Sequence, residues 1–139
     1  MNWLTWSLLS AFFAGLTAIF AKLGVANIGS NLATAIRTCV VLVLVWVIAF
    51  ATKESAALTT LSKRHWLFLI LSGLATGLSW LCYFRALQLG EASRVAPIDK
   101  LSVVFVLLFA ALFLHEPITW KSACGICLIA GGGILLAVK

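Results

Sequence analysis

Four ionisable residues stand inside stretches that are otherwise apolar: Arg37, Arg85, Asp99 and Lys100. At bilayer depth such a group costs from about 2.5 kcal/mol upward, so it normally borders a cavity or a partner. Asp99 is the only acid within an apolar run. A carboxyl so placed can take up and release a proton or hold a cationic substrate. It can equally form a fixed ion pair with Arg37, Arg85 or Lys100. Arg37 can pair with Asp99, hold an anion by a bidentate contact, or snorkel to the near interface. Arg85 and Lys22 lie near segment ends, where snorkelling is the simpler use. Trp80, Tyr83 and Phe84 can line a path along their segment or simply pack there.

Other chemistry is thinly represented. Cys124 and Cys127 have the spacing of half a metal or redox motif. A zinc site needs further ligands, and His65 and His115 fall in separate loops. Cys39 and Cys82 also sit in apolar runs, where cysteine serves as a small apolar residue. There is no Gly-rich phosphate loop, no sensibly placed Ser-His-Asp grouping and no His-rich cluster. Neither an enzyme, nor a bound metal, nor a cofactor is expected. The formal net charge is +6, yet the ten basic residues are scattered between and at the ends of apolar runs. Nucleic-acid binders cluster them on one polar face instead, so no nucleic-acid partner is expected.

The elements that carry these residues must be membrane helices. Of 139 residues, 63% are hydrophobic and 10% charged, against about 25% charged in soluble domains. Too few charges remain to coat a globule, and lipid is the natural solvent. About 20 apolar residues are needed to cross the hydrocarbon as a helix. Five runs qualify, at about 3–23, 31–51, 66–89, 92–114 and 120–138. Asn27, Gly29 and Ser30 mark the first turn, and the polar stretch 52–65 the second. Gly90-Glu91 and His115-Glu116-Pro117 mark the last two, since proline cannot continue a helix interior. Pro97 either loosens the backbone beside Asp99 or sits harmlessly in a first helical turn. Trp3, Trp6, Trp66 and Trp120 fall near segment ends, where an indole suits the interface. The fold class is therefore all-α, a single polytopic domain of five transmembrane helices. The first apolar run lacks a preceding basic region and does not read as a signal peptide.

Small residues mark candidate helix contacts: Gly73 and Gly77 in the third segment, and Ala123, Cys127 and Gly131, followed by Gly132 and Gly133, in the fifth. Ser10, Ala14 and Ala18 form a similar stripe in the first. The charge balance between the two sides is close, four basic residues against three, or against five if two arginines inside helices are counted. Lys53, Lys63, Arg64 and Lys121 fall on the side of the N-terminus. Lys22, Arg94 and Lys139 fall on the other, with Arg37 and Arg85 near it inside helices. The positive-inside rule then gives no clear orientation: either another feature sets a single orientation, or the chain inserts both ways and pairs antiparallel.

Several stretches carry a family resemblance. Tyr83-Phe-Arg-Ala-Leu-Gln-Leu-Gly-Glu-Ala-Ser-Arg-Val-Ala-Pro97 resembles the third-to-fourth helix junction of EamA domains, in the drug/metabolite transporter superfamily. Val103-Val-Phe-Val and Leu112-Phe-Leu-His-Glu-Pro-Ile-Thr-Trp120 continue the likeness. Gly125-x-x-Leu-Ile-Ala-Gly-Gly-Gly-Ile-Leu-Leu136 resembles the family's last helix. The chain resembles one such unit, as in the short five-helix bacterial branch. The resemblance implies transport of a small metabolite or drug, often export, across a bacterial inner membrane. It implies a site among the first four helices and a last helix that helps to join two halves. Arg37 matches a basic residue often seen early in the second helix, and Glu116 the acid after the fourth. Asp99-Lys100 departs from the pattern, since many members are apolar there.

A secondary transporter working as a dimer is the expected function, with Asp99, Arg37, Lys100, Arg85, Tyr83 and Trp80 as candidates for handling substrate or a coupling ion. A non-transporting subunit of a larger assembly is the rival. Dual insertion has a direct readout. A cysteine placed at either terminus of an otherwise cysteine-free chain should react with impermeant maleimide from both membrane faces. Strictly one-sided labelling would remove the antiparallel homodimer.

Overall fold

The computed structural model describes residues 2–138; Lys139, counted in the charge balance, lies outside them. Six α-helices and a short 3-10 helix follow in order: α1 (Trp3–Gly24), α2 (Ser30–Ala51), the 3-10 helix (Glu54–Thr60), α3 (Lys63–Leu89), α4 (Ala92–Asp99), α5 (Ser102–Phe113) and α6 (Trp120–Ala137). Five spans are long and apolar enough to cross a membrane, with α4 and α5 together forming the fourth, Ala92–Phe113. Their mean hydropathy runs from 1.6 to 2.4. The chain is a small polytopic helical membrane protein, in agreement with the expected fold class.

Lipid offers no hydrogen-bond partners, so hydroxyls within spans must be satisfied locally. Thr34 donates to the carbonyl of Ser30, Thr38 to that of Thr34 and Thr76 to that of Ser72. Each bond reaches back one turn along the residue's own helix. At the start of α6, Thr119 and Ser122 form a reciprocal capping box that satisfies two otherwise orphaned N–H groups. Pro117 precedes it and ends the connection from α5.

Helix ends use residues other than glycine at positive φ. Asn27, Lys53 and His115 have φ values of 62°, 61° and 56°, whereas no described glycine has a positive φ. Each of the three lies just beyond a helix, where a left-handed residue ends the ladder. After α5, the N–H of Glu116 then returns to the carbonyl of Ala110.

The chain resolves into two compact units. One comprises 2–20 and 89–138 of the described residues, and the other 21–88. The second unit has its core at the end of α1, the start of α2 and the end of α3. Ala21, Val25, Ala33, Phe84 and Leu87 are buried there, with Ser30 and Thr34. Leu87 is fully enclosed. Lys22 also serves this core. Its Nζ donates to the carbonyl of Leu87 at 2.6 Å, an acceptor in the last turn of α3 that has no intrahelical donor of its own. Snorkelling is therefore not the whole role of Lys22.

In the other unit, α4 and α6 pack most closely. The fourth span, which sequence reads as one continuous helix, is broken at Lys100-Leu101. Pro97 is the sixth residue of α4, beyond its first turn, and it removes the donor owed to the carbonyl of Ser93. Downstream, bonds reach only three residues back: Leu101 to Ile98, Val103 to Lys100 and Val104 to Leu101. This is the tighter 3-10 winding. Opposite the break, α6 presents Gly133, whose added Cβ would meet the Pro97 carbonyl oxygen at 3.1 Å. Ala123, Ile126, Ala130, Gly133 and Ala137 form the more covered face of α6, while Cys127 and Gly131 are exposed.

Replacing Gly133 with Val should therefore cost about 1–3 kcal/mol, the usual range for overpacking. Gly131→Ala should leave the stability of a single chain unchanged, because its Cβ meets nothing within 4 Å. Equilibrium unfolding of the purified chain in mixed detergent micelles reads both. Equal destabilisation by the two variants would contradict the packing described.

Candidate functional site

Each unit holds one cluster of the residues singled out from sequence. In the unit 21–88, α2 carries Arg37 and α3 carries Trp80 and Phe84. The Arg37 guanidinium lies 4.3 Å from the Trp80 ring centroid and 5.4 Å from that of Phe84. Trp80 and Phe84 are four residues apart on one helix face, so a single side chain reaching from α2 meets both rings. Cation–π attraction of this kind contributes about 0.5–2 kcal/mol, the larger part when desolvated. Arg37 is half-buried and Phe84 fully buried.

The next residue, Arg85, is exposed and donates from Nη1 to Gln88 Oε1 at 2.6 Å. Gln88 in turn donates from Nε2 to the carbonyl of Ile28 at 2.9 Å. Arg85 thus braces the turn between α1 and α2 through Gln88. Gln88 carries no charge and drew no attention in the sequence; only the tertiary fold brings it to Ile28. Tyr83 is partly exposed on the same helix.

In the other unit, Asp99 ends α4 and Lys100 begins the break. Their side chains approach to 3.7 Å, with 38% of Asp99 and 62% of Lys100 exposed. So loose and open a pair contributes little stability. Asp99 is thereby held beside a cation without being sealed from solvent. The other ion pair among the described residues, Glu91 with Arg94 at 3.1 Å, spans the first turn of α4.

Gly73 and Gly77 meet nothing that an added Cβ would touch within 4 Å, and the same holds for Gly131. All four cysteines are free thiols on exposed positions. Among the described residues no three His, Cys, Asp or Glu side chains are grouped to hold a metal ion. An open pocket of about 260 Å³ lies between α2 and the 3-10 helix, lined chiefly by Val45, Trp46, Ala49, Leu58 and Leu61. Its lining is almost wholly apolar, so it offers little to fix a polar solute.

A polytopic chain with few ionised groups placed within its spans has the layout of a membrane transporter. The chain matches the EamA-like transporter family over residues 1–138, and it belongs to that family, within the drug/metabolite transporter superfamily. It is 55% identical over 137 residues to an uncharacterised transporter encoded in the cobO 3′ region of a Sinorhizobium species, covering 99% of this chain and 97% of the relative. It is 26% identical over 130 residues to the uncharacterised transporter YvbV of Bacillus subtilis, covering 94% of this chain but 43% of that one. Over 84 residues it is 34% identical to a probable 4-amino-4-deoxy-L-arabinose-phosphoundecaprenol flippase subunit, ArnE, of an Enterobacter species, covering 60% of this chain and 78% of the relative. No solved structure matches.

The Lys22 bond to Leu87 gives a test of how this region is held. Lys22→Met keeps the apolar stem but removes the donor, and should destabilise the chain by about 1–3 kcal/mol, the usual cost of stranding a buried acceptor. Thermal unfolding in detergent, compared with the exposed control Lys63→Met, measures the difference.

Proposed function

We propose that this chain is a secondary transporter of a small metabolite or drug, most plainly an exporter, working as a dimer in a bacterial inner membrane. The reading rests above all on the Asp99–Lys100 pair, which stands open at a break in the fourth span. Irregular backbone at membrane depth is tolerated where it is buried in protein or lines a water-filled cavity, and broken helices commonly frame transporter sites. An exposed carboxyl there is placed to exchange protons with such a cavity. Family membership supports the same reading.

Burial supports pairing. No more than 11% of the apolar window of any span is buried, and Gly73 and Gly77 of α3 and Gly131 of α6 stand open. Two chains inserted in opposite senses would make an inverted repeat, a common basis for alternating access. In this reading the faces bearing Gly73, Gly77, Cys127 and Gly131 meet the second copy, and Asp99 faces the route.

A second reading has its own support. The Enterobacter relative is named a flippase subunit, which suits a chain that works only with a different partner. Reconstitution separates the two. The purified chain alone in liposomes should dissipate an imposed pH gradient when a transported solute is supplied, as read by an enclosed pH dye. Asp99→Asn should lower that solute-dependent proton flux about tenfold or more, with the inserted amount unchanged. Undiminished coupling in Asp99→Asn would remove Asp99 from the mechanism. Flux that requires a second polypeptide would favour the subunit reading.

A further inference from the structure

Arg37 presents an imbalance that the fold does not resolve. It stands seven residues into α2, about 10 Å along the helix from its start. Its cationic face is held by Trp80 and Phe84, but aromatic faces accept none of its N–H hydrogen bonds. Among the described residues the two ion pairs are Glu91–Arg94 and Asp99–Lys100, and neither includes Arg37. No hydrogen bond takes its guanidinium to a protein acceptor there either. The one carboxylate in its own unit, Glu54, lies past the far end of α2, more than about 20 Å along the helix at 1.5 Å per residue, and the ionisable group that interacts with Arg37 is the phenol of Tyr83, which has no pair of oxygens to match the fork. A guanidinium at this depth carries five donors in a rigid fork that matches the oxygens of carboxylate and phosphate. Two aromatic rings within 4.3 and 5.4 Å of its central carbon hold the group in place without occupying its N–H donors.

We infer that Arg37, oriented by Trp80 and Phe84, is a binding site for an oxyanion, a phosphate or carboxylate group carried on an otherwise apolar molecule. The inference rests on the transporter reading and deepens it by naming the substrate class. The apolar surroundings suit the tail, and the fork supplies the specificity. Trp80 and Phe84 are positioning residues, which hold the guanidinium near their rings without offering the anion a charge. The same chemistry would recognise a free anionic solute or the phosphate of a lipid headgroup.

The test uses the full chain in phosphate-free dodecyl maltoside micelles. Trp80 serves as reporter in a variant with Trp3, Trp6, Trp46, Trp66 and Trp120 replaced by Phe. Decyl phosphate and decanoate should change Trp80 fluorescence saturably, and decyltrimethylammonium should not. Arg37→Gln should weaken the apparent affinity about tenfold or more, the loss expected when a charge-assisted hydrogen bond is removed. Arg37→Lys, which keeps the charge but not the fork, should fall between. Should the multiple Trp replacement fail to fold, broadening of the decyl phosphate phosphorus resonance by the otherwise unaltered chain supplies the same comparison. Competition by inorganic phosphate would identify a soluble anion as the occupant. Competition by phosphatidylglycerol alone would identify a lipid headgroup, and both results support the oxyanion site.

An equal response to decyltrimethylammonium, or an Arg37→Gln variant indistinguishable from the parent, would overturn it. The outcome is separable from that of the transporter reading. Oxyanion binding without flux in liposomes would end transport and leave the site standing. Flux of cations that is indifferent to Arg37→Gln would do the reverse.

Discussion

The controlling constraint is that hydrocarbon accepts and donates no hydrogen bonds. Every backbone N–H and C=O within a span must close on its own helix, and every polar side chain must find a partner or reach water. The chain obeys this at several scales. Thr34, Thr38 and Thr76 turn back on their own helices. Thr119 and Ser122 cap each other's backbone at the entry of α6. Lys22 supplies the donor that the last turn of α3 lacks. Against that background the groups at Arg37 and at Asp99–Lys100 stand out, because one lacks an acceptor and the other is only loosely paired.

The same constraint explains why the stabilising contacts are few and concentrated. Between helices in lipid there is little hydrophobic driving force, so association depends on close backbone approach and polar contacts. Gly133 against the Pro97 carbonyl provides the first. The Lys22–Leu87 and Gln88–Ile28 bonds provide the second. The large apolar side chains, Trp120 at 82% exposure and Leu128 at 77% among them, meet the lipid or a partner instead. Phe84 apart, the packed core is accordingly made of small and medium residues.

Much of the architecture was legible in the sequence because lipid imposes a coarse and readable pattern. Apolar runs of the required length placed all five spans to within a few residues of their observed ends. The break in the fourth was only half legible. Pro97 announced a missing donor, but its effect at Lys100-Leu101 depends on how the following turns rewind and on Gly133 approaching from a distant segment. The candidate site divides in the same way. Arg37 and Asp99 were visible as charges out of place. The stacking of Arg37 on Trp80 and Phe84 required the register of α2 against α3, which no local pattern encodes. Gln88 was invisible, since an uncharged residue near a helix end carries no signal of the carbonyl it will meet. The stripe of Ala123, Cys127 and Gly131 divides between two faces once α6 is seen in place.

The turns have a consequence for what glycine means in this protein. Asn27, Lys53 and His115 take the left-handed backbone positions that elsewhere fall to glycine. The glycines of the spans are therefore not there for conformational freedom. They act by omission, as shallow notches cut along the flanks of the rods. Gly133 apart, adding a methyl group to one would leave this chain's own packing untouched and register only the nearness of a rod from another molecule, which makes these positions a gauge of lateral distance.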